Sequence, residues 1–350
     1  MNRILQISGV DVTAKAAAHE RWNRIAKPLG SLGLLEEMIE RIAAIQGSEN
    51  VDISRRAAVV MCADNGVVAE GVTQSDSGIT AVCAKSVAEG GSNINIIAKM
   101  FNSEVIAYDV GIARDVDSGA LIRRKTAYGT GNIAIEPAMT SDQAESAITV
   151  GLDAVKELSE SGVKLIITGE MGIGNTTTAA AVSSVLLELS PREVTGRGAG
   201  LDSAGLERKI SAVERAIALH KPTAGRPTEL ISKIGGFDIA AMTGLFLGGA
   251  VYHIPVIIDG VISAAAAALA VLINEKAREY MLASHTSEEP ASKGLLEFIG
   301  LKAPINAGLR LGEGTGAALL LPLLDAALAV YNSSHTFENL QIEKYSEIRG

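Results

Sequence analysis

The stretch KLIITGEMGIGNTTTAAAVSS, residues 164–184, decides the fold class of this chain. It begins with an apolar, β-branched run at residues 164–168, which is typical of a strand buried in a parallel sheet. A glycine-rich turn follows at residues 169–174, and the alanine-rich segment after it favours a helix. A strand that passes through such a turn into a helix indicates an α/β protein.

The rest of the chain repeats this alternation. Short apolar runs predict further buried strands at residues 57–62, 105–108 and 255–258. Helical periodicity is found at residues 35–45, 79–100, 140–158, 206–219 and 239–247. The sequence therefore predicts an α/β fold with a doubly wound, mostly parallel, Rossmann-like sheet. Both chain ends are rich in helical patterns, and we expect them to pack together as a small helical lobe.

Composition and charge exclude several classes of protein. The 350 residues carry a net charge of −9, and no cluster of Lys and Arg interleaved with aromatic residues offsets it, so we expect no nucleic-acid partner. The two cysteines, Cys62 and Cys83, favour the reducing cytoplasm over a disulfide scaffold. The amino terminus lacks a signal-peptide core, and apolar stretches such as residues 261–273 are too short or interrupted to span a bilayer, so we expect no membrane partner.

An acidic residue stands shortly after each predicted strand, at Asp64, Asp109, Glu170 and Asp259. A single acid in such a place is usually a turn or helix cap. Ligands of open α/β sheets, however, bind outside the carboxyl ends of the strands. The presence of four acids around one predicted sheet edge therefore indicates a functional site there.

The glycine turn itself has three interpretations. Its glycines and the following helix start can present N–H groups to an anion, which makes Gly172, Gly174, Asn175 and Thr176 candidate phosphate or ribose contacts. The spacing also imitates the P-loop of a nucleotide hydrolase, but Asn175 stands where that motif requires a lysine. A purely structural turn is the third interpretation.

Two further glycine clusters carry charged candidates. Residues 196–200 include Gly198 and precede a helix with Lys209, which is a solvated surface charge unless it joins a phosphate site. In residues 310–316, Glu313 is flanked by glycines, so its carboxylate can enter a cleft as a general base. A helix-start acid favoured by the helix dipole is the alternative. The histidines lack metal-ligand spacing, so we predict no metal site and no cofactor.

In five motifs the chain resembles the nicotinate-nucleotide:dimethylbenzimidazole phosphoribosyltransferases. The motifs keep the family's order and are KPLGSLG (27–33), ADNGVVAEGV (63–72), GEMGIGNTT (169–177), GGFDI (235–239) and RLGEGTG (310–316). Asn65 stands where the family commonly has histidine, and Cys83 stands where some members have glutamine.

The resemblance implies a reaction in cobamide biosynthesis. Ribose 5-phosphate would move from nicotinate mononucleotide to an aromatic base, which is a benzimidazole or, in some relatives, a purine or phenol. Glu313 would be the catalytic carboxylate and Glu170 would lie beside the incoming base. Phosphate contacts would fall on Gly172, Lys209 and Ser287.

The remaining site residues and the domain organisation are expected on the same basis. The base pocket would be walled by Ser75, Cys83, Met171 and Leu311, and Gly198 and Asp259 would join the phosphate and ribose contacts. We expect a large α/β domain at residues 30–295, and a helical lobe at residues 1–29 plus 296–350 from which the Glu313 loop returns to the cleft. A homodimer with its active site near the subunit contact is implied, although some relatives pair with a homologous subunit.

Two rival functions stay open at this point. One is a catalytically silent nucleotide-binding subunit of a heteromer, which would use the same loops to hold phosphate. The other is the P-loop-like nucleotide hydrolase suggested by the spacing at residues 169–176.

Overall fold

The computed structural model describes residues 4–345. Its helices, in chain order, are α1 (Val12–Arg24), α2 (Leu34–Gln46), α3 (Gly78–Ala88), α4 (Asn93–Met100), α5 (Ser141–Glu160), α6 (Asn175–Leu187), α7 (Pro191–Val194), α8 (Ser203–His220), α9 (Pro227–Ile234), α10 (Phe237–Tyr252), α11 (Val261–Ile273), α12 (Ala291–Ile299), α13 (Thr315–Ala318), α14 (Leu321–Ser333) and α15 (Phe337–Leu340). Its strands are β1 (Arg56–Ala63), β2 (Ser103–Gly111), β3 (Ile122–Arg123), β4 (Leu165–Met171), β5 (Val256–Ile258) and β6 (Met281–Ala283). Short 3₁₀ segments lie at Ile4–Gln6, Gly66–Glu70 and Glu275–Tyr280.

The strands form one parallel sheet in the order β3-β2-β1-β4-β5-β6. The order reverses between β1 and β4, and ligands of doubly wound sheets bind in the crevice at such a reversal. The α/β prediction is confirmed, and the four predicted strands correspond to β1, β2, β4 and β5. Strands β3 and β6 were not predicted because segments of two and three residues are too short to show a period.

Helices cover both faces of the sheet. In β1, Ala57, Val59 and Met61 pack into the layer that contains α5, α6 and α8 to α12. The intervening residues Val60 and Cys62 pack into the opposite layer, which contains α1 to α4, α13 and α14. Successive side chains of a strand point to opposite faces, so a strand covered on both sides is apolar throughout. This explains why the strands appear in the sequence as uninterrupted apolar runs.

The predicted helix at residues 79–100 is wrong as one element. The structure divides it into α3 and α4. Gly90 lies between them at a φ of 85°, in the left-handed region that ends helices. Ser92 and Asn95 then form a capping box that begins α4.

Glycines allow α5 and α10 to cross at close range. A Cβ built on Gly151 of α5 would lie 1.9 Å from the carbonyl oxygen of Ala241, and one on Gly244 of α10 would lie 2.0 Å from the carbonyl oxygen of Ile148. Neither position can carry a side chain without separating the two helices. The abundance of glycine in the sequence thus serves close helix packing behind the sheet.

The two chain ends meet on one side of the sheet. Trp22 of α1 packs on Tyr331 of α14 with ring centroids 4.9 Å apart, and Ile25 bridges to Thr336. Within the described residues, the segment Thr315–Ser333 is long and apolar enough to cross a membrane by length and composition alone, contrary to the expectation that every apolar stretch is too short or interrupted, and half of it is buried inside the protein. The domain boundaries at residues 29/30 and 295/296 stay a prediction.

Candidate active site

A cavity of about 200 Å³ opens at the carboxyl edge of the sheet. Its walls are the turn after β4, the loops after β5 and β6, and the segment at residues 309–316. A smaller cavity of about 90 Å³ adjoins it and shares the glycine turn and Gly198. The loops therefore converge where the sheet topology places a ligand.

The glycine turn positions the start of α6 at the cavity. Gly174 has a φ of 92° and is the residue before the first helical residue, Asn175. The Asn175 side-chain amide donates to Glu170 Oε2. The position that a P-loop fills with a phosphate-binding lysine therefore holds an amide that orients a carboxyl group, which argues against the nucleotide hydrolase.

Glu170 is a buried carboxyl group at the end of β4. Burial raises its pKa to about 8, and the nearby charges of Asp238, Asp259 and Glu313 act in the same direction. The hydrogen bond from Asn175 lowers the pKa but does not offset burial. At neutral pH the side chain is therefore mainly protonated, and it can donate as well as accept a hydrogen bond.

Glu313 faces the same cavity from the opposite loop. Its backbone has a φ of 62°, a conformation uncommon for a residue other than glycine. Its carbonyl packs against β4, where a Cβ on Gly169 would lie only 2.4 Å from the Glu313 oxygen. The residue is 9% exposed, and Oε2 accepts from the Ile94 amide at 3.3 Å at the start of α4. The Glu313 carboxyl group thus points into the protein. Glu313 also lies just before α13, but its carboxyl group is bound to the start of α4 and not to that of α13.

Asp259 holds the loop that carries Glu313 by two hydrogen bonds, and the neighbouring His285 packs against Gly316. Asp259 Oδ2 accepts from the amide of Gly314 at 3.2 Å, and Oδ1 accepts from the amide of Ala317 at 2.9 Å. Burial raises the pKa of Asp259 while the neighbouring His285 lowers it, and burial lowers the pKa of His285. Asp259 lines the cavity, but both of its carboxylate oxygens accept hydrogen bonds from backbone amides of residues that follow Glu313 in the chain.

Lys209 of α8 is buried beneath the cavity rather than solvated. Its Nζ donates to Thr176 Oγ1 at 2.8 Å and to the Gly196 carbonyl at 3.1 Å. Burial lowers its pKa to about 8, and the charge of Glu289 acts in the opposite direction. The interpretation of Lys209 as a surface charge is wrong, and its ammonium group lies directly behind residues of the cavity wall.

The structure brings most of the predicted site residues together. Those that line the larger cavity are Glu170, Met171, Gly172, Asn175, Thr176, Gly198, Asp259, Ser287, Leu311 and Glu313. Gly174 lines the smaller cavity. Ser75 and Cys83 are not in either wall: Ser75 lies in the loop before α3, and Cys83 is half-buried on α3. Burial and the charge of Glu313 raise the pKa of Cys83, so this thiol lies near the Glu313 carboxyl group.

Two of the four acids predicted to follow the strands are structural, and Asp109 lies within β2 rather than after it. Asp64 Oδ2 accepts from the Ala113 amide at 2.7 Å. Asp109 accepts from the Ile112 amide at 2.9 Å and pairs with Lys125 at 3.0 Å. These two carboxylates stabilise turns, whereas Glu170 and Asp259 reach the cavity.

Sequence reasoning missed His285 and Glu289, which also line the cavity. Both follow β6, the three-residue strand that left no periodic signal. A search for polar residues after every short apolar run, including 281–283, would have found them. Among residues 4–345, no group of three His, Cys, Asp or Glu side chains is arranged to hold a metal ion.

Comparison with known proteins covers almost the whole chain. A family model described as phosphoribosyltransferase (DBI_PRT) matches residues 7–342. Nicotinate-nucleotide--dimethylbenzimidazole phosphoribosyltransferase from Acetivibrio thermocellus is 45% identical over 325 residues, which is 93% of each chain. The protein of the same name from Ruminiclostridium cellulolyticum is 42% identical and covers 99% of this chain and 98% of its own. The crystal structure of CobT from Thermus thermophilus superposes with a TM-score of 0.90 at 39% identity, covering 95% of this chain and 100% of that one.

Proposed function

Because the chain belongs to the phosphoribosyltransferase family, we propose that it transfers the ribose 5-phosphate of nicotinate mononucleotide to a ring nitrogen of an aromatic base. The products are free nicotinate and an α-ribotide for the lower ligand of a cobamide. The relatives' names support this reaction over the silent subunit and the nucleotide hydrolase.

One observation carries the proposal: two buried carboxyl groups and an amide-rich glycine turn line a single cavity. The turn at Gly172 and the start of α6 suit a phosphate, because N–H groups at a helix start attract anions. In the same cavity Glu313 can accept a proton, and the mainly protonated Glu170 can donate a hydrogen bond. The cavity therefore combines an anion-binding turn with the base that the reaction requires.

The reaction needs a base more than an acid. The bond between ribose C1′ and the nicotinate nitrogen breaks, and its electron pair neutralises the pyridinium charge. The unprotonated ring nitrogen of the incoming benzimidazole forms the new bond to C1′ with its lone pair, and the N–H proton of that ring passes to Glu313. Glu170, mainly protonated at neutral pH, is left to hold the base or the ribose by a hydrogen bond.

The acceptor base is proposed to be a benzimidazole, with purines and phenols as further acceptors. Met171 and Leu311 supply an adaptable apolar wall, since methionine fits several ring shapes. Ser75 and Cys83 lie outside this wall in the structure, so they would join a base pocket only if the base extends past Glu313 towards α3.

We also propose a cytoplasmic homodimer. The free thiols Cys62 and Cys83 suit a reducing compartment. Apolar side chains are exposed on α3 and α4 at Val82, Ile96 and Met100, and α4 begins at the Glu313 carboxyl group. A second copy covering these helices would lie beside the site. Sedimentation of the wild type and of Ile96→Asp distinguishes this dimer from a monomer or from a heteromer that needs a homologous subunit.

The function is tested by product identification. The purified chain is incubated with nicotinate mononucleotide and an equimolar mixture of benzimidazoles, purines and phenols, and ribotides are identified by mass spectrometry. The proposal expects one ribotide for each nicotinate released. If folded protein forms no ribotide from any base, the proposal is wrong, and magnesium-dependent phosphate release from ATP would instead support the hydrolase.

A further inference from the structure

The backbone amide of Gly198, to which we expect the substrate phosphate to bind, is already hydrogen-bonded to the carboxylate of Glu289. The Gly198 N–H donates to Glu289 Oε1 at 2.9 Å. Gly196 lies against the other oxygen, since a Cβ there would be 2.1 Å from Glu289 Oε2. Glu289 therefore contacts the loop at residues 196–198 with both carboxylate oxygens.

Lys209 lies on the far side of this contact. Its Nζ binds Thr176 and Gly196, and a Cβ on Gly198 would be 3.3 Å from it. Lys209 has no exposed surface, whereas Thr176, Gly198 and Glu289 all line the cavity. An ammonium group has three N–H donors, so one remains for a phosphate. A phosphate in the cavity can reach that donor only after at least one of these lining residues moves.

We propose that Glu289 is an internal competitor for the substrate phosphate, and that the two anions exchange places on the Gly198 amide. This inference rests on the proposed function, because it takes the loop at residues 196–198 as part of the phosphate site. One N–H cannot serve both anions fully, and two negative groups in one buried site repel each other. Every phosphate compound must therefore displace Glu289 in order to bind.

The competition sets a minimum affinity that any phosphate compound must exceed in order to bind. Inorganic phosphate gains only the contacts of the phosphate site when it displaces Glu289. The nucleotide also gains contacts to its ribose and ring, so it can bind where free phosphate does not. Glu289 thus lowers the affinity for all phosphates and protects the site from occupation by inorganic phosphate.

The test measures binding of inorganic phosphate to the full chain by isothermal titration calorimetry. Glu289→Gln removes the competing charge and keeps the side-chain shape. Glu288→Gln is the matched control, because Glu288 is the exposed neighbour and its replacement changes the net charge equally. Titration near pH 6.5 keeps Lys209, whose pKa is about 8, charged in wild type.

We expect Glu289→Gln to bind phosphate about tenfold more tightly than wild type, which corresponds to roughly 1.4 kcal/mol, and Glu288→Gln to stay within about twofold. The KM for nicotinate mononucleotide should fall in Glu289→Gln, while kcat changes less than KM.

Equal or weaker phosphate binding by Glu289→Gln, or no measurable binding by any of the proteins, overturns the inference. Weaker nucleotide binding with unchanged phosphate binding would instead make Glu289 a ribose contact, which also overturns it. If Glu289→Gln does not fold, Glu289→Asp replaces it, because the shorter side chain keeps the charge but withdraws from Gly198 and should also bind phosphate more tightly. Phosphate binding requires no transfer, so its outcome is readable even if no ribotide forms.

Discussion

Replacing Gly169 by alanine should lower kcat in a protein that still folds. A Cβ at this position would lie 2.4 Å from the carbonyl oxygen of Glu313, and real Cβ atoms essentially never approach closer than 3.0 Å, so the Glu313 backbone must retreat by at least 0.6 Å. Gly169 is hydrogen-bonded within β4 beside Val60 of β1, so the loop must move rather than the strand. Such overpacking costs about 1–3 kcal/mol of stability. A misplacement approaching 1 Å at a reacting group can cost about 100-fold, so we expect kcat to fall about 10- to 100-fold.

The assay compares kcat for ribotide formation with the free energy of unfolding in urea, at a temperature where each protein is folded. Gly119→Ala is the matched control, because nothing lies within 4 Å of its Cβ and its φ is not in the left-handed region. Wild-type kcat in Gly169→Ala would refute the view that β4 sets the position of Glu313.

Two further substitutions separate the roles of Glu170 and Asp259. In the native state the pKa of Glu170 is raised from its ordinary value of 4.5 to about 8, so the folded protein keeps a proton that the unfolded chain releases. The contribution of Glu170 to the free energy of unfolding is therefore complete below about pH 4.5 and is lost as the pH rises through about 8. Glu170→Gln should flatten this decline in urea unfolding between pH 5 and 8, and an unchanged slope would contradict the assignment. Asp259→Asn leaves one of two backbone N–H donors without an acceptor, so we expect about 1–3 kcal/mol of destabilisation and a lower kcat. A rise in KM alone would show Asp259 to be a ribose contact instead.

The strands that carry the site could be predicted from sequence because they are buried on both faces. Runs such as residues 57–62 are apolar at every position, and Asp64 and Glu170 mark their carboxyl ends. The glycine turn at residues 169–174 could be predicted for the same reason, because it directly follows such an apolar run. The break at Gly90 was visible in the sequence as a glycine pair, but helical periodicity on both sides concealed it.

Other features depend on contacts between distant parts of the chain. The burial of Lys209 follows from the packing of α8 beneath Thr176, which no local pattern reports. The placement of His285 and Glu289 depends on β6, whose three residues carry no period. The raised pKa of Glu170 likewise depends on burial and on Asp238, 68 positions further along the chain.

The central claim is that Glu313 accepts the proton that the attacking base loses. The most direct measurement is kcat for ribotide formation by Glu313→Gln, beside wild type and Glu297→Gln, a control at an exposed position of α12. The account predicts a loss of at least about 100-fold for Glu313→Gln alone, with the affinity for nicotinate mononucleotide changed by less than about threefold. Retention of kcat within about twofold by folded Glu313→Gln would contradict it.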